Sequence, residues 1–380
     1  MEIKPTVNGK AALADPSDVG AWFRDTKQQV REDLEVLEGL DQRPLLFIRA
    51  TGKYVAVGSD LPKLLPLFDG TRTGAEIIER FTSSTDPVLV LDRLGGIMHE
   101  LRQAGALVEP PQPERGRRGI ARFMRREHLL RLPLTRNIGT WLETPVAPLR
   151  AIPGHVLAGL WVTLSAIGFA VGLFALFTAG SGWQAPSNLW VLYIVLFLQI
   201  GFHELSHALV CQYLKVPARE AGVGLMLYVM PVGYVDRTDS YRITDRKSRA
   251  FLSLAGPVND QIWFGVTGLV VLLAPAEISH LAFSMLMLQV LLTLMNFNPL
   301  VPSDGYHAIS ALTGTVNFRG KALNYLTHKL LRVPLSESQL TVSRKTSRAY
   351  IWYGIGCLAF VLVLVLGMAR TLGRLLEVLT

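Results

Sequence analysis

Cysteine is nearly absent: the 380-residue chain holds two, Cys211 and Cys357, both inside apolar helical runs. This excludes a disulfide framework and a cysteine-built zinc site, so any metal has to be held by histidine and carboxylate. No hydrophobic segment resembling a signal peptide precedes the first run long enough to span a bilayer, which starts near Val156. The N-terminal portion is therefore expected not to be secreted. Acidic residues are outnumbered, 30 Asp and Glu against 38 Lys and Arg, for a net charge of +8. Half of the residues are hydrophobic and the mean hydropathy is positive. Together these values describe a polytopic membrane protein with a soluble portion.

The most informative stretch is Ile200-Gly-Phe-His-Glu-Leu-Ser-His-Ala-Leu209, inside a run otherwise apolar from Leu189 to Leu214. On a helix His203 and His207 project from one face, one turn apart. That spacing lets two imidazoles reach one Zn2+ while Glu204 meets a metal-bound water. Two core histidines and a buried acid could spell the same motif. Three ionisable groups in a membrane helix are costly, however, and persist when they pair with something, here best a metal.

Residues 1–42 are polar and read as largely helical, from Val19 to Leu40. A compact unit over 43–110 follows. Leu45-Leu-Phe-Ile-Arg-Ala50 and Tyr54-Val-Ala-Val-Gly58 read as strands joined by a Thr-Gly turn. Helical patterns come next at Leu61–Phe68, at Thr73–Phe81 (opened by Asp69-Gly-Thr-Arg-Thr) and from Pro87 to Gln103, stopping at Gly105 before a strand-like 106–109. This is a small winged-helix-like α+β module. A generic winged helix that binds nothing, or one that binds DNA, would show the same pattern, and DNA is the weaker of these because the longest helix carries Asp92, His99, Glu100 and Arg102 rather than a basic face. Residues 111–153 are rich in arginine with leucines and Phe123 interleaved, and read as a linker and interfacial segment attracted to anionic lipid. Domain 154–380 then holds five expected spans, at 156–177, 189–213, 250–273, 278–296 and 351–368. The connectors 215–249 and 301–350 each carry seven Lys or Arg, whereas 180–188 carries no charge. The positive-inside rule places the module and both basic connectors in the cytoplasm.

Two histidines leave a zinc site incomplete. The fourth span ends in Asn296-Phe-Asn-Pro-Leu-Val-Pro-Ser-Asp-Gly305. It runs in the same direction as the second, so Asp304 comes to the depth of the histidines. Pro299 and Pro302 break the helix there, giving non-helical backbone that is tolerated at depth only against protein or a wet cavity. Three ligands leave the fourth zinc position for a water whose pKa falls to roughly 7. Glu204 takes its proton and the oxygen attacks a peptide carbonyl. Gly222–Val235 reads as a β-hairpin or re-entrant loop whose free edge offers a place for an extended substrate.

On His203-Glu204-x-x-His207, Asn298-Pro-x-x-Pro-x-Asp-Gly305 and Ala255-Gly-Pro257, the chain resembles the site-2 protease family of intramembrane zinc metalloproteases over roughly 155–312. The resemblance implies that His203, His207 and Asp304 hold zinc and that Glu204 is the general base. Where that family usually has Asn, four residues after the Gly of Gly-Pro, this chain has Asp260 with Asn259 beside it. Support of substrate or oxyanion is accordingly left among Asn259, Asp260 and Asn298. The unit at 43–110 resembles PqqD-like precursor-recognition domains of ribosomally made, modified peptides. The resemblance rests on Tyr54-Val-Ala-Val, on Leu64-Leu-Pro-Leu-Phe-Asp-Gly-Thr-Arg-Thr-Gly-Ala-Glu-Ile-Ile78, and on Leu94, Leu101 and Gly105-Ala-Leu-Val108. It implies that a leader peptide adds as a strand at the sheet edge beside the third helix. The combined expectation is a membrane zinc endopeptidase maturing such a peptide, of which daptide-type clusters are one setting. The alternatives are a regulatory protease releasing a membrane-bound factor, and a non-proteolytic peptide-binding export component. A peptide or membrane-protein substrate and the lipid bilayer are the expected partners, and nucleic acid is not.

Overall fold

The computed structural model describes residues 16–81, 87–108, 129–179, 188–226, 230–314, 317–332, 335, 339 and 342–379. The chain divides into two units, one of Met1–Glu127 with Tyr241–Asp245, the other of His128–Ser240 with Arg246–Thr380.

The first unit is a small α+β domain. Helix α1 (Pro16–Asp25) is followed by strands β1 (Lys27–Gln29), β2 (Leu34–Glu38), β3 (Pro44–Ile48) and β4 (Lys53–Ala56). Next come helix α2 (Leu61–Leu64), strand β5 (Asp69–Thr73) and helices α3 (Gly74–Phe81) and α4 (Pro87–Ala104). The expected helix across 19–40 is thus corrected: it stops at Asp25 and gives way to two strands. Pairing overrides local propensity there, because β2 runs antiparallel to β3 over Leu34–Glu38 against Pro44–Ile48 and places Val36 opposite Leu46. The sheet order β2-β3-β4 leaves β2 and β4 as edges, with α4 next to β4.

Turn chemistry sets this register. Gly52 takes φ +65° in the β3–β4 turn and donates its N–H to Ile48 O at 2.8 Å, a conformation that favours glycine. At the start of α3 the Thr73 N–H donates to Glu76 Oε2 (2.8 Å) and the Glu76 N–H to Thr73 Oγ1 (3.3 Å), a reciprocal cap. Phe23, Leu46, Ile48, Leu61, Met98 and Leu101 are fully buried between sheet and helices. Gly105, at φ +85°, ends α4. The strand expected at 106–109 reduces to a single bridge between Leu107 and Val30, residue 109 lying outside the described residues. On the other face of the sheet, Arg242 stacks 4.9 Å over Phe47 and donates its Nε–H to Tyr54 Oη at 2.7 Å.

The second unit opens with a strand in the segment expected to be linker. β6 (Leu129–Thr135) pairs antiparallel with β7 (Ala221–Met226), which pairs with β8 (Met230–Val235), so the expected hairpin forms and gains a third strand. The reading of 111–153 as a linker is corrected from residue 129 onward, where strand and helix belong to the second unit, residues 111–128 lying outside the described residues. Helices α5 (Ile138–Val146), α6 (Gly154–Ala179), α7 (Leu189–Tyr213), α8 (Arg246–Leu273), α9 (Ala276–Phe297), α10 (Asp304–Thr313), α11 (Phe318–Leu331) and α12 (Arg344–Leu379) follow. Arg150 fastens α5 to the end of α7, donating from Nη2 to Glu143 Oε2 (2.8 Å) and to Gln212 O (2.6 Å).

Among the described residues four helices, over Gly154–Ala179, Trp190–Tyr213, Ala276–Phe297 and Arg344–Val363, are long and apolar enough to cross a membrane. Leu160, Phe174, Phe177, Trp190, Leu294 and Leu362 stand exposed on them, as lipid-facing residues would. The fifth expected span, 250–273, is a regular part of α8 but is not among these four. It is the inner helix of the unit, packed against α6, α7, α9 and α10 and carrying buried Asp260 and Gln261. Small residues allow its close approach to α6. A Cβ on Gly265 would sit 2.4 Å from Gly168 Cα, and one on Gly268 would sit 2.9 Å from Gly172 Cα.

Candidate metal centre

Helical periodicity on α7 brings His203 and His207 to one face, and both are buried. Asp304 arrives from α9 through a non-helical turn. The α9 helix ends at Asn298, whose Oδ1 accepts the Leu300 N–H (2.9 Å) and whose carbonyl accepts the Ser303 hydroxyl (2.7 Å). Ser303 then caps α10 by accepting the Tyr306 N–H at 3.2 Å, which makes Asp304 the first helical residue. A carboxylate in that position is favoured by the helix dipole.

The three expected ligands converge. His203 Nε2 lies 3.3 Å from His207 Nε2 and 3.0 Å from Asp304 Oδ2, and His207 Nε2 lies 3.4 Å from the same oxygen. The opposite ring nitrogens decide what this means. His207 Nδ1 is 2.7 Å from Leu252 O, a carbonyl that only accepts, so Nδ1 carries the proton. His203 Nδ1 is 2.7 Å from Asp260 Oδ2, and a carboxylate requires the same tautomer. In the neutral rings both Nε2 atoms then present lone pairs, to each other and to a carboxylate oxygen. Three acceptors converging out of water repel unless a cation lies between them. The donor set of two imidazoles and one carboxylate suits zinc with an open position. The residues therefore fit the metal that the motif calls for, and the arrangement as such is a buried His203, His207 and Asp304 group capable of holding a metal ion.

Comparison of the chain with family models, curated proteins and solved structures finds no match. The chemistry of the centre thus rests on its own atoms.

Glu204 follows the first ligand, and its Oε2 accepts the Val235 N–H at 3.2 Å. That N–H lies on β8, an edge of the three-stranded sheet, so the hairpin's edge runs beside the centre. The three residues left open for substrate or oxyanion separate clearly. Asp260 is engaged with His203 Nδ1 and also accepts from Asn296 Nδ2 at 3.2 Å, so it orients the His203 ring. Asn298 braces the turn that delivers Asp304. Asn259 keeps a buried Nδ2 without a hydrogen-bond partner among the described residues.

Two contributors carry no signal in the sequence. Asn296 stands in the stretch leading to Asp304, but a lone amide at a helix end does not disclose its partner. Arg237 is one of seven basic residues in its connector, and its Nη2 donates to Asp304 Oδ1 at 3.0 Å.

Proposed function

We propose that the second unit is a zinc endopeptidase working at the membrane, and that the first selects its substrate, a ribosomally made precursor peptide with a leader. The observation that carries the hydrolytic reading is the convergence of His203 Nε2, His207 Nε2 and Asp304 Oδ2 with Glu204 adjoining the first ligand. When bound, zinc supplies Lewis acidity for the scissile carbonyl and lowers the pKa of water. Glu204 takes one proton from the attacking water as its oxygen bonds to the carbonyl carbon. It then gives that proton to the amide nitrogen as the C–N bond breaks, leaving a carboxyl and an amine. Asp260 and Leu252 O hold the two imidazoles in the ligating tautomer throughout.

A peptide bond inside a helix has its carbonyl engaged, so the substrate must be extended where it is cut. The β8 edge beside Glu204 provides the template for that strand. The basic connectors favour a cytoplasmic site, reached by substrates made inside the cell. Removing the metal is the direct test. Dialysis of the detergent-purified protein against a chelator is expected to abolish cleavage of a labelled casein, and stoichiometric zinc to restore it. Cleavage undiminished after verified metal loss would rule the mechanism out.

The role of the first unit rests on its resemblance to precursor-recognition modules, with the leader adding at the β4 edge next to α4. Tethering raises the local concentration of the scissile segment without altering the chemistry. Deleting residues 1–110 is therefore expected to raise KM for a leader-bearing precursor at least tenfold while kcat stays within about twofold. Equal KM for both forms would remove the unit from recognition.

A further inference from the structure

Arg237 has no part in the motifs, yet it is the charged side chain closest to the centre's carboxylate. It lies two residues beyond Val235, the β8 residue whose N–H meets Glu204, so the strand end flanks the site with a backbone donor and then a cation. Its Nη2 bonds to Asp304 Oδ1, leaving Oδ2 to the histidines, and it also feels the Glu204 charge. Of its five N–H groups this is the one engaged among the described residues, and the side chain keeps 29% exposure. The backbone that carries it is held rigidly. Arg219 N–H donates to Asp236 O (3.0 Å) and Asp236 N–H to Glu220 O (2.8 Å). Asp236 Oδ1 accepts the Thr238 N–H (2.9 Å), and the Arg219 guanidinium grips Asp239 at 3.1 and 2.7 Å.

A fixed cation beside a pocket for a divalent ion opposes loading of that ion by like-charge repulsion. A residue retained only to shape the ligand set would serve better uncharged. The positive charge makes chemical sense where negative charge develops during reaction, on the carbonyl oxygen of the peptide under attack. The three residues expected to support substrate or oxyanion do not supply it. Asp260 is an acceptor, Asn298 is committed to its turn, and Asn259 offers a neutral amide whose Nδ2 is closed off from solvent.

We propose that Arg237 is the oxyanion-binding residue of this site, directing its remaining N–H groups at the carbonyl oxygen while one N–H steadies Asp304. The proposal rests on the zinc-hydrolase reading above, and its test separates the two. The full-length protein in detergent is loaded with zinc, and zinc affinity is measured by chelator competition for the wild type, Arg237→Met and Arg237→Lys. Calorimetry then measures binding of a phosphinic dipeptide with leucine side chains, whose tetrahedral anion mimics the charged carbonyl.

Arg237→Met is expected to stay zinc-loaded at the zinc concentration of the assay, because relief of like-charge repulsion offsets the lost hydrogen bond to Asp304, whereas a purely structural role would lower zinc affinity. It should bind the phosphinic probe about 100-fold more weakly and lose a similar factor in kcat on labelled casein, with KM within about threefold. Arg237→Lys should recover about tenfold of both losses. Equal probe affinity in wild type and Arg237→Met, or a drop that follows zinc loss alone, would overturn the assignment and leave Glu204 hydrolysis standing. Failure of the wild type to hold zinc would instead overturn the hydrolase reading and this assignment with it.

Discussion

Replacing Glu204 by glutamine is expected to leave zinc fully bound and to abolish peptide cleavage. Glu204 is outside the ligand set: the three atoms that converge belong to His203, His207 and Asp304, while Glu204 Oε2 is turned to the Val235 N–H. Glutamine preserves shape and an acceptor oxygen for that N–H, so the helix and the strand edge stay in place. What it removes is a group able to take and return a proton. Loss of a general base costs typically 10²–10⁴-fold, and in the proposed mechanism the same side chain also returns the proton to the departing amine. A drop of about 10⁴-fold in kcat, at unchanged zinc stoichiometry, is therefore expected on labelled casein. Full turnover by this variant at wild-type zinc content would show that another group handles the proton, and the mechanism built on Glu204 would fail.

The His203, His207 and Asp304 group was legible because its signals are local. A spacing of four on an apolar helix fixes His203 and His207 on one face whatever surrounds them, and the prolines before Asp304 mark where α9 must end. The partners of those ligands were not legible, because they depend on how helices cross. Asp260 lies 57 positions beyond His203, and only the approach of α8 to α7 shows that its carboxylate serves an imidazole rather than a substrate. Arg237 was hidden for a related reason: seven basic residues in one connector support a topology argument equally, and only strand pairing selects the one at the centre.

The strands follow the same rule. β3 and β4 are joined by a Thr-Gly turn that any reading finds. β6 pairs with β7 across nearly ninety residues, and β2 lies in a segment whose composition favours helix until β3 supplies a partner. Apolarity misleads in the opposite sense at α8. This helix carries His203's orienting carboxylate, and the polar run Asn259-Asp260-Gln261 lowers its apolarity, so it is not among the four helices apolar enough to cross a membrane.

Gly256→Ala is expected to cost the centre its metal while leaving the fold intact. Gly256 is on α8, one turn before Asp260, and the His203 ring rests directly on it. A Cβ added there would lie 2.4 Å from both Cε1 and Nε2 of the imidazole. Such a contact cannot be relieved by a small adjustment, since the ring is also tied to Asp260 of the same helix at 2.7 Å. Either His203 leaves its position or α8 moves away and takes Asp260 with it, and both outcomes break the ligand geometry. Disturbing the support of a ligating histidine typically lowers metal affinity 10–100-fold. Displacing the ring itself should exceed that, so zinc affinity is expected to fall by at least about 100-fold and cleavage with it. The helix, by contrast, gains about 0.5–1 kcal/mol from exchanging glycine for alanine, so helical content and thermal midpoint of the metal-free protein should change little. Gly159→Ala is the matched control, because a Cβ at that position meets nothing within 4 Å and the variant should bind zinc like wild type. Chelator competition and circular dichroism on the three proteins decide the matter. Wild-type zinc affinity in Gly256→Ala would mean that His203 does not hold the metal from the position described.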